Sequence, residues 1–233
     1  MHECPRCQSS RLIKNGSATG KPKKLCQACG YQFTRMTPRG KPLMTKVNAV
    51  LWYLSGVSMN RIAFLSRVSV QSVLNWIRAF AKDHDEKPEP TGKIIALELD
   101  EMWHYVQKKR KKLWIWKALD RDAGQLLDWE CGRRDKVTLK KMVERLAQFN
   151  VKLDCTDNWA SYASVIRKDK LVQSKATTHD IERHHCRQRH WFGRFKRGTI
   201  IVSKSKEMVD LTMALFAKCW VNGNQDELIS LLG

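Results

Sequence analysis

The hydrophobic pattern changes period along the chain, and the changes divide it. Residues 44–82 repeat apolar positions at helical spacing. Val47, Val50, Leu51 and Leu54 mark a first helix that Gly56 ends, Ile62, Ala63 and Leu65 a second, and Val73, Leu74, Trp76, Ile77 and Phe80 a third. A turn over Ser66-Arg67-Val68 separates the last two, and Ser69 is placed to cap the third. The segment 83–92, DHDEKPEPTG, is acidic, holds two prolines and reads as a linker. Beyond it the period drops toward two. Segments 93–106, 112–119 and 125–131 read as three successive strands, hence an antiparallel meander. A helix starts near Asp135, short strands follow at 151–155 and 171–176 with a helix between them, and a long helix starts near Asp180 or Ile181. A last apolar stripe over 205–222 is expected to pack on the sheet, with a dimer contact as the lesser alternative.

The order strand, strand, strand, helix, strand, helix, strand, helix over 93–233 is that of the ribonuclease H fold, an α/β layer architecture. Fold alone does not give activity. Three short helices over 44–82 suggest a helix-turn-helix, with a plain helical packing unit as the alternative. In the first geometry Gln71, Ser72 and Asn75 open the recognition helix and Arg78 extends it, since Gln and Asn can pair bidentately with adenine.

Charge shifts the balance toward the DNA reading. The 233 residues carry 43 Lys+Arg against 23 Asp+Glu, a net +20, and residues 1–82 alone hold 14 basic side chains and one acid. Each Lys or Arg placed at a phosphate releases condensed counterions, so double-stranded DNA is the expected partner, ahead of an acidic membrane surface. Within a basic linker over 34–46, Arg39 and Lys41 sit in a Pro-Arg-Gly-Lys-Pro string similar to arms that lie in a minor groove; an ordinary linker is the other reading. The tip 108–112, with Lys109 and Arg110, is either a solvated hairpin end or a track for a DNA backbone. With 42% apolar residues and nine Trp, the chain has enough to bury a core, which excludes global disorder. No apolar run of membrane-spanning length occurs and the start lacks a signal-peptide pattern, so a soluble, cytoplasmic and nucleoid-associated protein is expected.

The cysteines add a metal. Cys4 and Cys7 form one CxxC knuckle and Cys26 and Cys29 another, while the remaining four are scattered singly. Two such knuckles fit one tetrahedral zinc, with the residues between them as a hairpin, Gly30 at a tight turn and Tyr31 to Phe33 as a short strand. A pair of disulfides is the alternative. A ribbon this small lacks a core, so the Zn2+ supplies folding energy, and a Cys4 site leaves no open position for catalysis. The domains expected are a zinc ribbon at 1–36, the helical domain at 44–82, the linker at 83–92 and the α/β domain at 93–233.

Three carboxylates make the catalytic argument. Asp100 is read as closing the first strand, with Glu98 two residues back on the same face and Glu101 beside it. Asp157 falls just past the fourth strand, and the first and fourth strands are neighbours in this order. Glu182 opens the late helix. Converging carboxylates repel and resist ionisation. Two Mg2+ or Mn2+ ions resolve that conflict and suit in-line phosphoryl displacement.

The strings Leu99-Asp100-Glu101-Met102-Trp103, Asp157-Asn158-Trp159-Ala160-Ser161-Tyr162 and Ile181-Glu182-Arg183-His184-His185 resemble the three acidic motifs of bacterial DDE transposases. With the paired cysteines ahead of them, nearly all of residues 1–220 resembles the insertion-sequence-1 family, InsAB type. The resemblance implies that Asp100, Asp157 and Glu182 hold the catalytic metals. It also implies that Arg189, two helical turns past Glu182, grips a terminal phosphate. It further implies binding of terminal inverted repeats and target DNA, 3′-end cleavage, strand transfer, and a homodimer or higher synaptic complex. The alternative is a DNA-binding regulator with an inactive ribonuclease H-like half. The family pattern His-Asn is His184-His185 here. These histidines are expected at DNA phosphates, with a second zinc site among His179, His184, His185, Cys186 and His190 as the alternative. Trp159 is expected in a core or rim position rather than stacked on a base. Arg183, Arg187, Arg194 and Lys196 are expected along the transposon end.

Overall fold

The computed structural model describes residues 3–34, 40–222 and 230, with the Trp220 side chain excepted. Arg39 lies outside the described residues. The chain divides into two compact units, residues 1–43 and 44–233.

In the first unit, β1 (Leu12–Ala18) and β2 (Lys21–Cys26) form a hairpin, and β3 (Gln32–Phe33) adds to β2. Gly30, at φ 69°, turns the chain between the second knuckle and β3, where a side chain would be strained. The buried set is small: Cys4, Cys26 and Phe33, with Leu12 and Cys29 packed against it.

The second unit opens with α1 (Leu43–Leu54), α2 (Met59–Ser66) and α3 (Val70–Lys82). Ser58 and Ser69 cap α2 and α3, each accepting from the backbone N–H three residues on, and Arg67 makes the turn between them in the left-handed region. Five strands follow: β4 (Ala96–Tyr105), β5 (Lys112–Asp120), β6 (Leu126–Gly132), β7 (Leu153–Thr156) and β8 (Leu171–Gln173). They form one sheet in the order β6-β5-β4-β7-β8. The pairs β4/β5 and β5/β6 are antiparallel, while β4/β7 and β7/β8 are parallel. This is the ribonuclease H-like arrangement expected from the order of elements.

Between and after these strands lie α4 (Lys136–Leu146), α5 (Ala160–Val165), α6 (His179–Trp191) and α7 (Lys206–Phe216). Strand alternation sends Leu97 and Leu99 into one core, with Trp116, Ala118, Leu139, Met142 and Tyr162. It sends Met102, Ile115 and Leu119 into the other, with Ile181 and the α7 stripe. The stripe at the chain end therefore packs on the sheet, and α7 runs on into a π turn over Ala217–Val221. The last strand is shorter than expected, because a 3-10 turn takes Lys175–Thr177.

The expected separation of the three helices from the α/β domain does not hold as a physical gap. Tyr53, Ile62, Val73 and Ile77 share one core with Phe192, Leu211 and Phe216. Tyr53 Oη is 2.6 Å from Thr212 Oγ1, and a Cβ on Gly56 would meet the Trp191 carbonyl oxygen at 2.2 Å. The acidic stretch 83–92 is strapped to β6 rather than free. Lys87 donates to the Trp129 carbonyl at 3.0 Å and lies over its ring, and the Thr91 N–H donates to Gln125 Oε1 at 3.1 Å. Apolar side chains that α1–α3 cannot bury among themselves decide this, since a helix must cover its stripe somewhere.

Candidate active site and metal centre

In the ribbon, Cys4 and Cys26 are fully buried while Cys7 is exposed. Cys4 Sγ lies 3.7 Å from Cys29 Sγ, Cys7 Sγ 3.6 Å from Cys26 Sγ, and all four lie within 4.8 Å of one another. A disulfide is about 2.05 Å long, whereas ligands at about 2.3 Å around a tetrahedral zinc stand about 3.8 Å apart. The donor set and its spacing fit zinc. Among the described residues, this is the one group of three or more metal-ligating side chains drawn close enough to share an ion.

The second site forms where β7 stops. Parallel pairing of β4 with β7 ends at Leu99 opposite Thr156, so Asp100 and Asp157 occupy the next register positions, side by side. Contrary to the expectation from the sequence, Asp100 does not close its strand; β4 continues to Tyr105 because β5 pairs with it all along. The neighbour ends there, not the strand. Asp100 Oδ1 accepts from the Glu101 N–H at 2.8 Å, and Asp157 Oδ1 from the Trp159 N–H at 2.9 Å. Glu182 comes from the first turn of α6.

Burial, then Glu101, then Asp157 and Glu182 push the Asp100 carboxyl up to about 7, partly offset by its bond from the Glu101 N–H. The three expected carboxylates thus meet electrostatically, without converging on a shared point as the cysteines do. An all-oxygen, mutually repelling donor set is the kind that suits Mg2+ or Mn2+.

The parts played by several neighbours are set by the packing. Glu98 Oε2 accepts from the Asp180 and Ile181 N–H groups at 3.1 and 2.9 Å, so this carboxylate caps α6 and aims Glu182. Glu101 points to the opposite face, where Arg134 pairs with it and Tyr162 Oη donates to Oε2 at 3.1 Å. Burial raises its carboxyl, and Arg134 opposes that. Lys117 stands opposite Asp100 on β5, fully buried, its Nζ without a hydrogen-bond partner. Burial, then Arg189, lower it to about 7 against the pull of Asp100. The signal was present, since Lys117 interrupts an otherwise apolar run from Leu113 to Leu119.

The histidine expectation is overturned. His184 and His185 are 4% and 6% exposed, facing the core rather than phosphates. His185 Nδ1 is 3.5 Å from Asp100 Oδ2, and burial, then Lys117 and Arg189, push its ring well below its usual range. A heptad-like turn count puts both on the inner side of α6 with Ile181 and Gln188. Arg189 is half-buried on the same helix, and burial, then Arg197, lower its guanidinium from its usual range. Trp159 sits at the rim, 5.4 Å from the Trp116 ring and beneath the Arg134 guanidinium.

Of the expected DNA contacts, Lys41, Gln71, Asn75, Lys109, Arg110, Arg187 and Lys196 are exposed, and Ser72 is half-buried. Gln71 Nε2 donates to Asn75 Oδ1 at 2.8 Å. Arg78 pairs with Glu207 at 3.3 Å and Arg183 with Asp180 at 2.7 Å, so each is already engaged. Contrary to the expectation from the sequence, Arg194 does not lie along the surface. It is only 9% exposed, its guanidinium 5.0 Å from the Tyr53 ring centroid, where it braces α1 instead of meeting solvent.

Among solved structures, the chain is similar to the catalytic core domain of BIV integrase, with TM-score 0.39 and 14% identity over 60% of this chain and 95% of that one. It is also similar to the Mos1 transposase paired-end complex with left transposon end, with TM-score 0.38 and 12% identity over 86% and 82%. Among sequences, it is 33% identical over 122 residues to the insertion element iso-IS1n protein InsB of Shigella dysenteriae, covering 52% of this chain and 93% of that protein. The InsB protein of insertion element IS1 2 of Escherichia coli K12 is 34% identical over 117 residues, covering 50% and 70%. Residues 93–220 match the IS1 transposase family. With more than half of its length in that match, and with one relative covered almost end to end, the chain belongs to the IS1 transposase family.

Proposed function

We propose that this transposase cleaves the 3′ ends of its element and joins them to target DNA, using Asp100, Asp157 and Glu182. The observation that carries the reading is the placement of Asp100 and Asp157 on adjacent register positions beyond the end of β7, with Glu182 raising the Asp100 carboxyl from α6. These side chains would hold two Mg2+ or Mn2+ ions. When bound, such ions activate a water or 3′ hydroxyl and stabilise the leaving oxygen. Glu98 fixes the start of α6, Tyr162 and Arg134 hold Glu101 away from the cluster, and Arg189 offers a cation to the terminal phosphate.

Residues 44–82 act as the helix-turn-helix that reads the terminal inverted repeats, through Gln71, Ser72 and Asn75 at the start of α3. Lys41, Arg39, Lys109, Arg110, Arg187 and Lys196 add phosphate contacts, and the zinc ribbon is a binding element. Synapsis of two ends calls for a homodimer or larger assembly, and the site of action is the cytoplasmic nucleoid. Among the described residues no helix is long and apolar enough to cross a membrane.

Asp157→Asn and Glu182→Gln are expected to bind an end-containing duplex like the parent and to lose Mg2+-dependent nicking and strand transfer by several orders of magnitude. Parent-like strand transfer by either variant would refute the active-site assignment. Unchanged DNA binding with no nicking by the parent itself would favour a regulator.

A further inference from the structure

Where α1–α3 lie against the α/β core, one side of the seam is open. It forms a groove of about 560 Å3 between α3, through Val70, Gln71 and Leu74, and the segment 200–205. That segment is pinned from below. Ser203 Oγ is 2.9 Å from His104 Nε2, the Gln107 N–H donates to the Ser203 carbonyl at 2.8 Å, and Gln107 Nε2 donates to the Lys204 carbonyl at 3.1 Å. On this fixed backbone Lys204 points to solvent, and Ile200, three residues before the first of these bonds, is 98% exposed.

A single exposed Ile is ordinary. One on the rim of a groove that Gln71 also lines, in a stretch from Lys196 to Lys206 whose four Lys and Arg are all exposed and which holds no Asp or Glu, is not. Gln107 also bonds Lys111 Nζ through its Oε1 at 2.9 Å, so the anchor of this segment is the root of the five-cation hairpin tip at 108–112. The surface is continuous from α3 through 200–205 to that tip, and its charge repels a second copy of itself while attracting a polyanion.

We propose that segment 200–205 is a DNA-contacting ridge that extends the reading surface of α3 toward the hairpin tip. Lys204 meets a backbone phosphate and Ile200 enters the groove of the duplex, as apolar side chains of DNA-bending proteins do. The ridge ties the bound end to the strand that carries Asp100, because its anchor His104 lies four residues along β4. It rests on the reading of α3 as the DNA-binding helix.

The test is fluorescence anisotropy on the full chain, with labelled duplexes of the element end and of a scrambled sequence, over a salt series. Lys204→Ala is expected to weaken both duplexes and to reduce the slope of log affinity against log salt by about 1. Ile200→Ser is expected to weaken binding about tenfold, equivalent to about 1.4 kcal/mol, without changing the slope. Gln71→Ala is expected to erode the preference for the end over the scrambled duplex. Absence of salt-dependent binding by the parent overturns the reading of α3 itself. Normal parent binding with unchanged affinity and slope in both ridge variants overturns the ridge alone. So does light scattering in which Ile200→Ser turns a dimer into a monomer, since the face is then a self-contact. Both side chains are exposed, and matching melting curves confirm that the variants fold.

Discussion

Replacing Asp100 with Asn removes one negative charge from a site that concentrates them. The parent carboxyl is pushed from its ordinary 3.8 up to about 7, by burial first and then by Glu101, Asp157 and Glu182. An acid raised in this way binds its proton more tightly in the folded state than in the unfolded one. Stability therefore falls as pH climbs above about 4, and the loss is complete above about 7. Three units at about 1.36 kcal/mol each set a ceiling of about 4 kcal/mol. Asn keeps the oxygen that accepts from the Glu101 N–H at 2.8 Å and carries no charge. In magnesium-free buffer with zinc retained, Asp100→Asn is expected to be more stable than the parent at pH 8 by about 2–4 kcal/mol, roughly 4–16 °C in Tm. The gain shrinks by more than half at about pH 5 and disappears below about pH 4. Millimolar Mg2+ raises the Tm of the parent more than that of the variant, because a cation relieves only the charged site. The assay is thermal unfolding followed by circular dichroism across pH, beside a nicking assay in which the variant is inactive. A variant less stable than the parent at pH 8, or a difference that does not move with pH, would refute the electrostatic account of this site.

Other outcomes follow from single features. Zinc chelation is expected to unfold residues 3–34, whose buried set is Cys4, Cys26 and Phe33, while the main melting transition of 44–222 persists; a protease digest with and without chelator reads this. Gly56→Ala places a Cβ 2.2 Å from the Trp191 carbonyl oxygen at φ 84°, and is expected to cost about 3 kcal/mol or more in denaturant unfolding. Glu98→Ala removes the acceptor for two α6 N–H groups, with an expected loss of about 1–2 kcal/mol and slower nicking at unchanged DNA affinity. Tyr53→Phe deletes the 2.6 Å bond to Thr212 and is expected to cost about 1 kcal/mol.

The elements and the cysteine cluster were legible along the chain. Helical periodicity with Ser69 and Asp135 at the caps placed α3 and α4, and the order of strands placed β4 beside β7. The CxxC spacing named the four cysteines that gather within 4.8 Å. These features are local, so spacing and residue type suffice to specify them. What the tertiary structure decided depends on which faces meet. Leftover apolar stripes on α1–α3 merged them with α7, which turned an apparent linker into a strap and put Arg194 under Tyr53. The inner face of α6 took His184 and His185 away from solvent and set His185 against Asp100. Cross-strand register alone brought Lys117 opposite Asp100, 17 residues away in sequence, and burial then raised the Asp100 carboxyl and lowered the Lys117 amine. Periodicity records that a side chain turns inward. Only the packed structure supplies the neighbours and the desolvation that decide what it does there.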